Sequence, residues 1–342
     1  MKLATYQDGS RDGQLVVVSR DLTTAHYATG IAYRLQQVLD DWNFMSPQLQ
    51  DLSSMLNQPG HPRARHAFPF EPARCMAPLP RAYQWVSGSA VTNDDALQST
   101  VGRRVASPDA GHGVPRLLQG ASDDFCGAHD AIRVPSEAIA AAWGIDFSAG
   151  LAVVTADVAM GASPAHGLDG VRLLMLVNDV SLRHVMDEEA ARDSGIVQGK
   201  PGPAFGPVAV TPDELTVSGD SAWQNGRVHL SVQCTWNGRK VGMVDAGDGM
   251  RFGFGELIAH LCRTRNMRAG SVVGSGAFSG SDVSKGYSCI AQRRALEVLE
   301  GGQAVTRYMA AGDIIRIEVK GKDGVSLFGA ILQGVALNAS NV

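Results

Sequence analysis

Asp123, Asp124, Cys126, His129 and Asp130 fall within one short segment, Gly120–Asp130, which reads GASDDFCGAHD and carries Phe125 as its one bulky apolar residue. Carboxylates, a thiol and an imidazole packed this closely could bind a hard cation, move a proton or attack a carbonyl. The glycines around them let backbone and ligand approach closely. The same composition also makes an ordinary polar turn. Four other segments share its character. VNDVSLRHV (177–185) places Asp179 directly after an apolar run, with Arg183 and His184 on the next turn. VQGKPGPAFGP (197–207) mounts Lys200 between glycine and proline, and GSGAFSGSD (274–282) offers the backbone of Gly276 and Ala277 to an anion or oxyanion. KGYSCIAQRR (285–294) supplies Tyr287 and Gln292. Each also has a plain alternative: a helix cap for Asp179, a solvated lysine, a tight turn.

The elements that must position these residues are mostly strands. LAVVTADV, VRLLMLVNDVS, GPVAVT, RVHLSVQCTWNGRKVGMV, SVVGSG and IIRIEVKGKDGVSLFGAIL are β-branched runs, and Asn237-Gly238 and Asp323-Gly324 sit between alternating apolar residues as hairpin turns. Helices are expected at Ser136–Ala142, Leu182–Arg192 and Gly255–Arg268. The first eighty residues read as a separate unit of two strands, a helix at Ala28–Trp42 and a second at Ser46–Leu56, followed by a proline-rich linker. GSGAFSG is not a GxGxxG between strand and helix, so the pattern argues for a rolled or layered sheet and against a dinucleotide fold.

Composition sets the bounds. The 342 residues suit one large and one small domain, and 44% hydrophobic with 19% charged residues is ordinary for a globular chain. A net charge of −4 gives no reason to expect nucleic acid or an anionic membrane. The N-terminus lacks a signal-type apolar core, and no apolar run reaches bilayer length. Five cysteines without a CxxC pair fit reduced thiols and a cytoplasmic protein.

In order and spacing, RAYQW (81–85), QGASDDF (119–125), WGIDF (143–147), LAVVTADV (151–158), MLVNDVSLR (175–183), KPGPAFGPVAVTPDEL (200–215), DAGDGMRFGFGELIAHLCRTR (245–265), GSGAFSGSD (274–282) and GYSCIA (286–291) resemble the fumarylacetoacetate hydrolase family over nearly the whole chain. The resemblance implies a mostly β fold with some α, the family's mixed β-sandwich or β-roll over residues 81–337. It implies a small α+β N-terminal domain over 1–80, a tail at 338–342, and a homodimer. In that family a Mg²⁺ or Ca²⁺ ion, held by two Asp and a Glu-x-Glu pair, chelates a 1,3-dicarbonyl while a His activates water and a Lys stabilises the leaving enolate. Carried over, Asp124 and Asp179 match metal ligands, His129 the water-activating imidazole and Lys200 the enolate-stabilising lysine. Cys126 falls where a substrate-contacting tyrosine stands, and Arg183, Gly276 and Ala277 border the substrate. Gln292 stands near an expected Glu.

The chain departs from the pattern at the Glu-x-Glu, where it reads Ser148-Ala149-Gly150, and at Ala277, where a Thr is usual. Each lost carboxylate removes an ion contact worth roughly twice the ~4 kcal/mol of a unit-charge pair at about 4 Å and an effective dielectric of about 20, before desolvation. Asp123, Asp130 and Asp146 are the nearby carboxylates that could compensate. The expectation is an enzyme acting on a 1,3-dicarbonyl, enol or acylpyruvate-like substrate without the usual metal site. Cleavage of a carbon–carbon bond, decarboxylation, tautomerisation and a biosynthetic condensation or cyclisation are the open outcomes. The alternatives are a Mg²⁺-dependent hydrolase with rearranged ligands and a non-catalytic ligand-binding protein.

Overall fold

A computed structural model describes residues 1–58, 60–61, 65–89, 113–193, 195–217, 220–248, 250–278, 282–321 and 324–338. Asp323 of the second hairpin turn, residues 279–281 of GSGAFSGSD and residues 339–342 of the tail lie outside them.

Strand Ala149–Thr155 explains the architecture. Its residues are all buried, yet they alternate between two clusters: Leu151 and Val153 face one, Ala152 and Val154 the other. A strand covered on both faces reads as a continuous apolar run, as LAVVT does. It lies inside a ten-stranded sheet whose order, in residue ranges, is 68–69, 24–27, 14–18, 2–6, 204–210, 171–178, 149–155, 272–274, 85–89 and 116–120. All neighbours are antiparallel except 85–89 with 272–274. On one face, Leu35, Val38, Leu39, Leu49 and Leu52 from the N-terminal helices cover Leu3, Val17, Leu173 and Phe205. The other cluster joins residues of this sheet to those of a five-stranded sheet ordered 239–245, 231–236, 314–320, 326–337 and 132–134. The result is the layered, rolled β fold with few helices.

The Asn237-Gly238 hairpin forms as expected, with both residues left-handed at φ +48° and +77°, the geometry a two-residue turn between twisted strands requires. Ser136 caps the helix Glu137–Trp143 by accepting the Ile139 N–H at 3.2 Å. Three helices differ from expectation. Residues 28–33 are irregular, because Leu15 N–H bonds to Tyr33 O and Gly30 is left-handed, so only Leu35–Asp40 is helical. The next helix begins at Trp42, not Ser46, and takes Pro47 into its second turn. Helix Phe254–Leu261 stops early because Met267 exchanges two backbone hydrogen bonds with Val158 and draws the chain back to the sheet. Helix Ile290–Gly301 was not foreseen.

Candidate active site

Strand Val171–Asn178 ends on Asn178 and Asp179, and both grip the start of strand Ala149–Thr155. Asn178 Oδ1 accepts the Ser148 N–H at 2.9 Å, and the Asp179 N–H donates to Ser148 O at 2.8 Å. This directs the Asp179 side chain inward, where it meets Lys200. Lys200 Nζ donates to Asp179 Oδ1 at 2.5 Å and to Ser181 Oγ at 3.1 Å, while Ser87 Oγ donates to Asp179 Oδ2 at 2.6 Å. Both charged side chains are buried. Burial pulls the Lys200 ammonium below its ordinary pKa, and the facing Asp179 carboxylate only partly restores it.

A second ion pair flanks the first. Arg183 Nε donates to Asp146 Oδ2 at 2.8 Å. Asp146 also accepts the Ile290 and Ala291 N–H groups at 2.6 and 3.1 Å, at the start of helix Ile290–Gly301. Its complete burial raises the carboxyl pKa, against the opposing pull of Arg183 and those two amides.

Asp179, Lys200, Ser87, Ser181 and Arg183 line a small cavity of about 50 Å³, together with Ser148, Gly276 and Ala277. Gly276 is left-handed at φ +76°. Among the described residues, the Gly276 and Ala277 N–H groups donate no hydrogen bond. A Cβ at Gly150 would stand 2.5 Å from Gly276 O and 3.2 Å from Ser275 Oγ, so the second glutamate position has no room for any side chain. A larger cavity of about 490 Å³ lies between residues 34–40 and 79–83. Its arginines Arg34 and Arg81 are partly exposed and paired with Asp8 and Asp12, whereas the Lys200–Asp179 pair of the smaller cavity is buried.

Thus Asp179, Lys200, Arg183, Gly276 and Ala277 are brought together, and the opening segment is not with them. Phe125 anchors that segment against Trp85 and Phe205. Asp124 and His129 are exposed and do not border the cavity. Cys126 pairs through its backbone with Pro203 and Phe205, and burial pushes its thiol up to about 11, with Asp130 and Asp124 adding to the rise. A thiol so raised is a poor nucleophile near neutral pH. Gln292 is buried and knits loops: it accepts the Ser288 N–H at 3.1 Å and donates to Phe278 O at 3.2 Å. Among the described residues no group of three or more His, Cys, Asp or Glu side chains could hold a metal. Sequence reasoning missed Ser87 and Ser181, whose only signal is position: Ser87 follows Trp85 in a strand, and Ser181 sits within NDVS.

The description "Fumarylacetoacetase N-terminal domain 2" matches residues 1–81, and "Fumarylacetoacetate (FAA) hydrolase C-terminal" matches residues 84–335. The chain belongs to the fumarylacetoacetate hydrolase family. Three solved structures sharing this family fold each cover 99% of the chain and are themselves covered in full. One is a probable 2-hydroxyhepta-2,4-diene-1,7-dioate isomerase from Mycobacterium abscessus, at TM-score 0.65 and 17% identity. Another is the fumarylacetoacetate hydrolase of Exiguobacterium antarcticum, at 0.62 and 18%. The third is a maleylpyruvate hydrolase from Sphingobium sp. SYK-6 in complex with manganese(II) and pyruvate, at 0.62 and 13%. No curated protein matches. Fumarylacetoacetate hydrolase family members are enzymes, and in one of them a divalent metal accompanies pyruvate. No helix among the described residues is long and apolar enough to cross a membrane.

Proposed function

We propose that this chain interconverts keto and enol forms of a small 1,3-dicarbonyl or acylpyruvate-like acid, with Lys200 in place of a divalent cation as the charge partner of the enolate. The observation that carries this reading is the buried Lys200–Asp179 pair at 2.5 Å in a cavity edged by the Gly276–Ala277 backbone. Enolisation needs a base near an α-carbon and a positive or N–H-rich site for the carbonyl oxygen. Asp179 is the carboxylate of the cavity and receives the carbon-bound proton. The C–H bonding pair becomes the C=C bond, the carbonyl π electrons move onto oxygen beside the Lys200 ammonium and the Gly276 and Ala277 amides, and that oxygen takes a proton from water.

The residues around Asp179 do not fit a divalent ion. Both its oxygens are engaged, by Lys200 and Ser87, and Gly150 has no space for a ligand. Asp146, the nearest alternative carboxylate, is tied to Arg183 and to the start of a helix. Octahedral oxygen coordination therefore lacks donors here. Isomerisation is favoured over carbon–carbon hydrolysis because His129, the candidate water-activating group, is exposed and outside the cavity. The isomerase name of one fold relative points the same way. We also propose a cytoplasmic homodimer; light scattering on the purified chain tests the dimer, and cell fractionation the location.

The direct assay is deuterium incorporation from D₂O into C3 of acetylpyruvate, followed by proton NMR with EDTA present. Wild type exchanges, and Lys200→Met loses on the order of 100-fold or more, the scale of removing one preorganised oxyanion donor. Exchange that requires added Mn²⁺, or that survives in Lys200→Met, refutes the proposal.

A further inference from the structure

Lys200 owes its position to a backbone segment that is itself held by a side chain assigned no role so far. Glu189 is buried on helix Arg183–Ala191, and its carboxylate accepts three consecutive backbone N–H groups. Oε1 takes Val197 at 3.0 Å and Gln198 at 2.7 Å, and Oε2 takes Gly199 at 3.0 Å. The next residue is Lys200. Its peptide is fixed from two further sides: Leu182 N–H donates to Gly199 O at 2.9 Å, and Ala121 N–H donates to Lys200 O at 3.2 Å. Gly199 allows the close fit, since a Cβ there would stand 2.3 Å from Met186 Cγ and 3.1 Å from Glu189 Oε2. Arg183, Met186 and Glu189 lie three residues apart, so one helix face carries the Asp146 partner, a wall of the cavity and this carboxylate.

We propose that Glu189 is a positioning residue for Lys200: its carboxylate fixes the 197–199 backbone and so holds the Lys200 ammonium on Asp179 and over the cavity. Charge-assisted bonds from a carboxylate to main-chain N–H groups are strong and directional. Without them, the exposed turn before Lys200 is left with few anchors: Val197 is 74% exposed. The inference rests on the functional reading above only for its consequence in turnover, not for its geometry.

Glu189→Gln is the discriminating variant. It preserves size and one acceptor oxygen, so the Val197 and Gln198 bonds persist, but it sets an amide NH₂ against the Gly199 N–H. Expected are loss of hydrogen-exchange protection at Gly199 and a moved or broadened Lys200 signal in ¹³Cε-lysine NMR, readable because the chain has only six lysines. Acetylpyruvate exchange is expected to fall about 10- to 100-fold in kcat with KM little changed, the scale of a small misplacement of a catalytic group. Glu188→Gln, on an exposed neighbour paired with Arg192, serves as control and retains wild-type values. An unchanged Lys200 signal with unchanged kcat in Glu189→Gln overturns the proposal. So does free exchange of the 197–199 amides in wild type, a measurement that decides even where the variant unfolds. If wild type itself incorporates no deuterium, the functional reading fails, while the amide and lysine signals still judge Glu189.

Discussion

Lys200 and Asp179 form an ion pair with little water around it, and such pairs behave asymmetrically. Their mutual attraction roughly offsets desolvation, whereas removing one partner strands the other charge. Asp179→Asn is therefore expected to lose about 3–5 kcal/mol of stability in urea unfolding. Asp179→Leu with Lys200→Met should recover most of that loss while remaining inactive. A double mutant as unstable as the single would show that the pair's surroundings, not its charges, dominate. Gly150 yields a second residue-level prediction. Ser148→Glu combined with Gly150→Glu, which restores the family pattern in sequence, is expected to lower the melting temperature and to gain no stabilisation from excess Mn²⁺ in thermal unfolding. The Gly276 carbonyl already occupies the space a Cβ would need. At this scale the sequence was informative where a motif fixes a side chain to a strand end, as NDVS does for Asp179. It was silent where a role depends on which loop folds beneath which helix, as for Glu189. At the segment with the densest chemistry, Gly120–Asp130, a run of Asp and His does not say which way its side chains face. The direction there is set by Phe125, whose burial beside Trp85 and Phe205 leaves Asp124 and His129 in solvent.

Two helices share one device for fixing the chain that follows them. As Glu189 grips residues 197–199, Glu297 on helix Ile290–Gly301 accepts the Val305 and Thr306 N–H groups at 2.8 and 2.9 Å and the Thr306 hydroxyl at 2.5 Å. Burial raises the Glu297 carboxyl pKa, but the Thr306 and Val305 bonds and nearby Arg293 outweigh it, so the net shift is downward. A carboxyl depressed in the folded state stabilises above its unfolded pKa, and that contribution is lost as pH falls through the folded value. Wild type should accordingly lose stability on acidification below the ordinary glutamate range. Glu297→Gln is expected to be less stable by about 1–3 kcal/mol at neutral pH, with a flatter acid limb in chemical unfolding. Equal slopes in the two proteins would remove Glu297 from the account. The Ile290–Gly301 helix escaped sequence reading because its first turn, CIAQ, was absorbed into a polar segment. The cap is not local: it is Asp146, far upstream, bonded to Ile290 and Ala291.

At the scale of the molecule, the segments matched by the two family descriptions share one sheet. Strand Lys2–Tyr6 pairs with Ala204–Val210, and Met1, Leu3 and Leu15 lie in one cluster with Leu173, Phe205 and Val272. Calorimetry of the full chain is therefore expected to give one cooperative transition, with calorimetric and van't Hoff enthalpies equal. Two resolved transitions would mean the shared sheet is energetically divided at this seam. The mostly β class and several strands were legible from β-branched runs and the Asn237-Gly238 turn. The sheet order was not, since it depends on pairings between distant residues that no local pattern encodes. The pairing of Lys2 with Val210 has a further consequence, in time. At synthesis rates of about 5–20 residues per second, the first hairpin waits on the order of 10–40 s for the strand that covers its edge. During that interval an apolar strand stands open on the ribosome, so yield in a cell should respond to chaperone supply and growth temperature more sharply than the finished protein's stability would suggest.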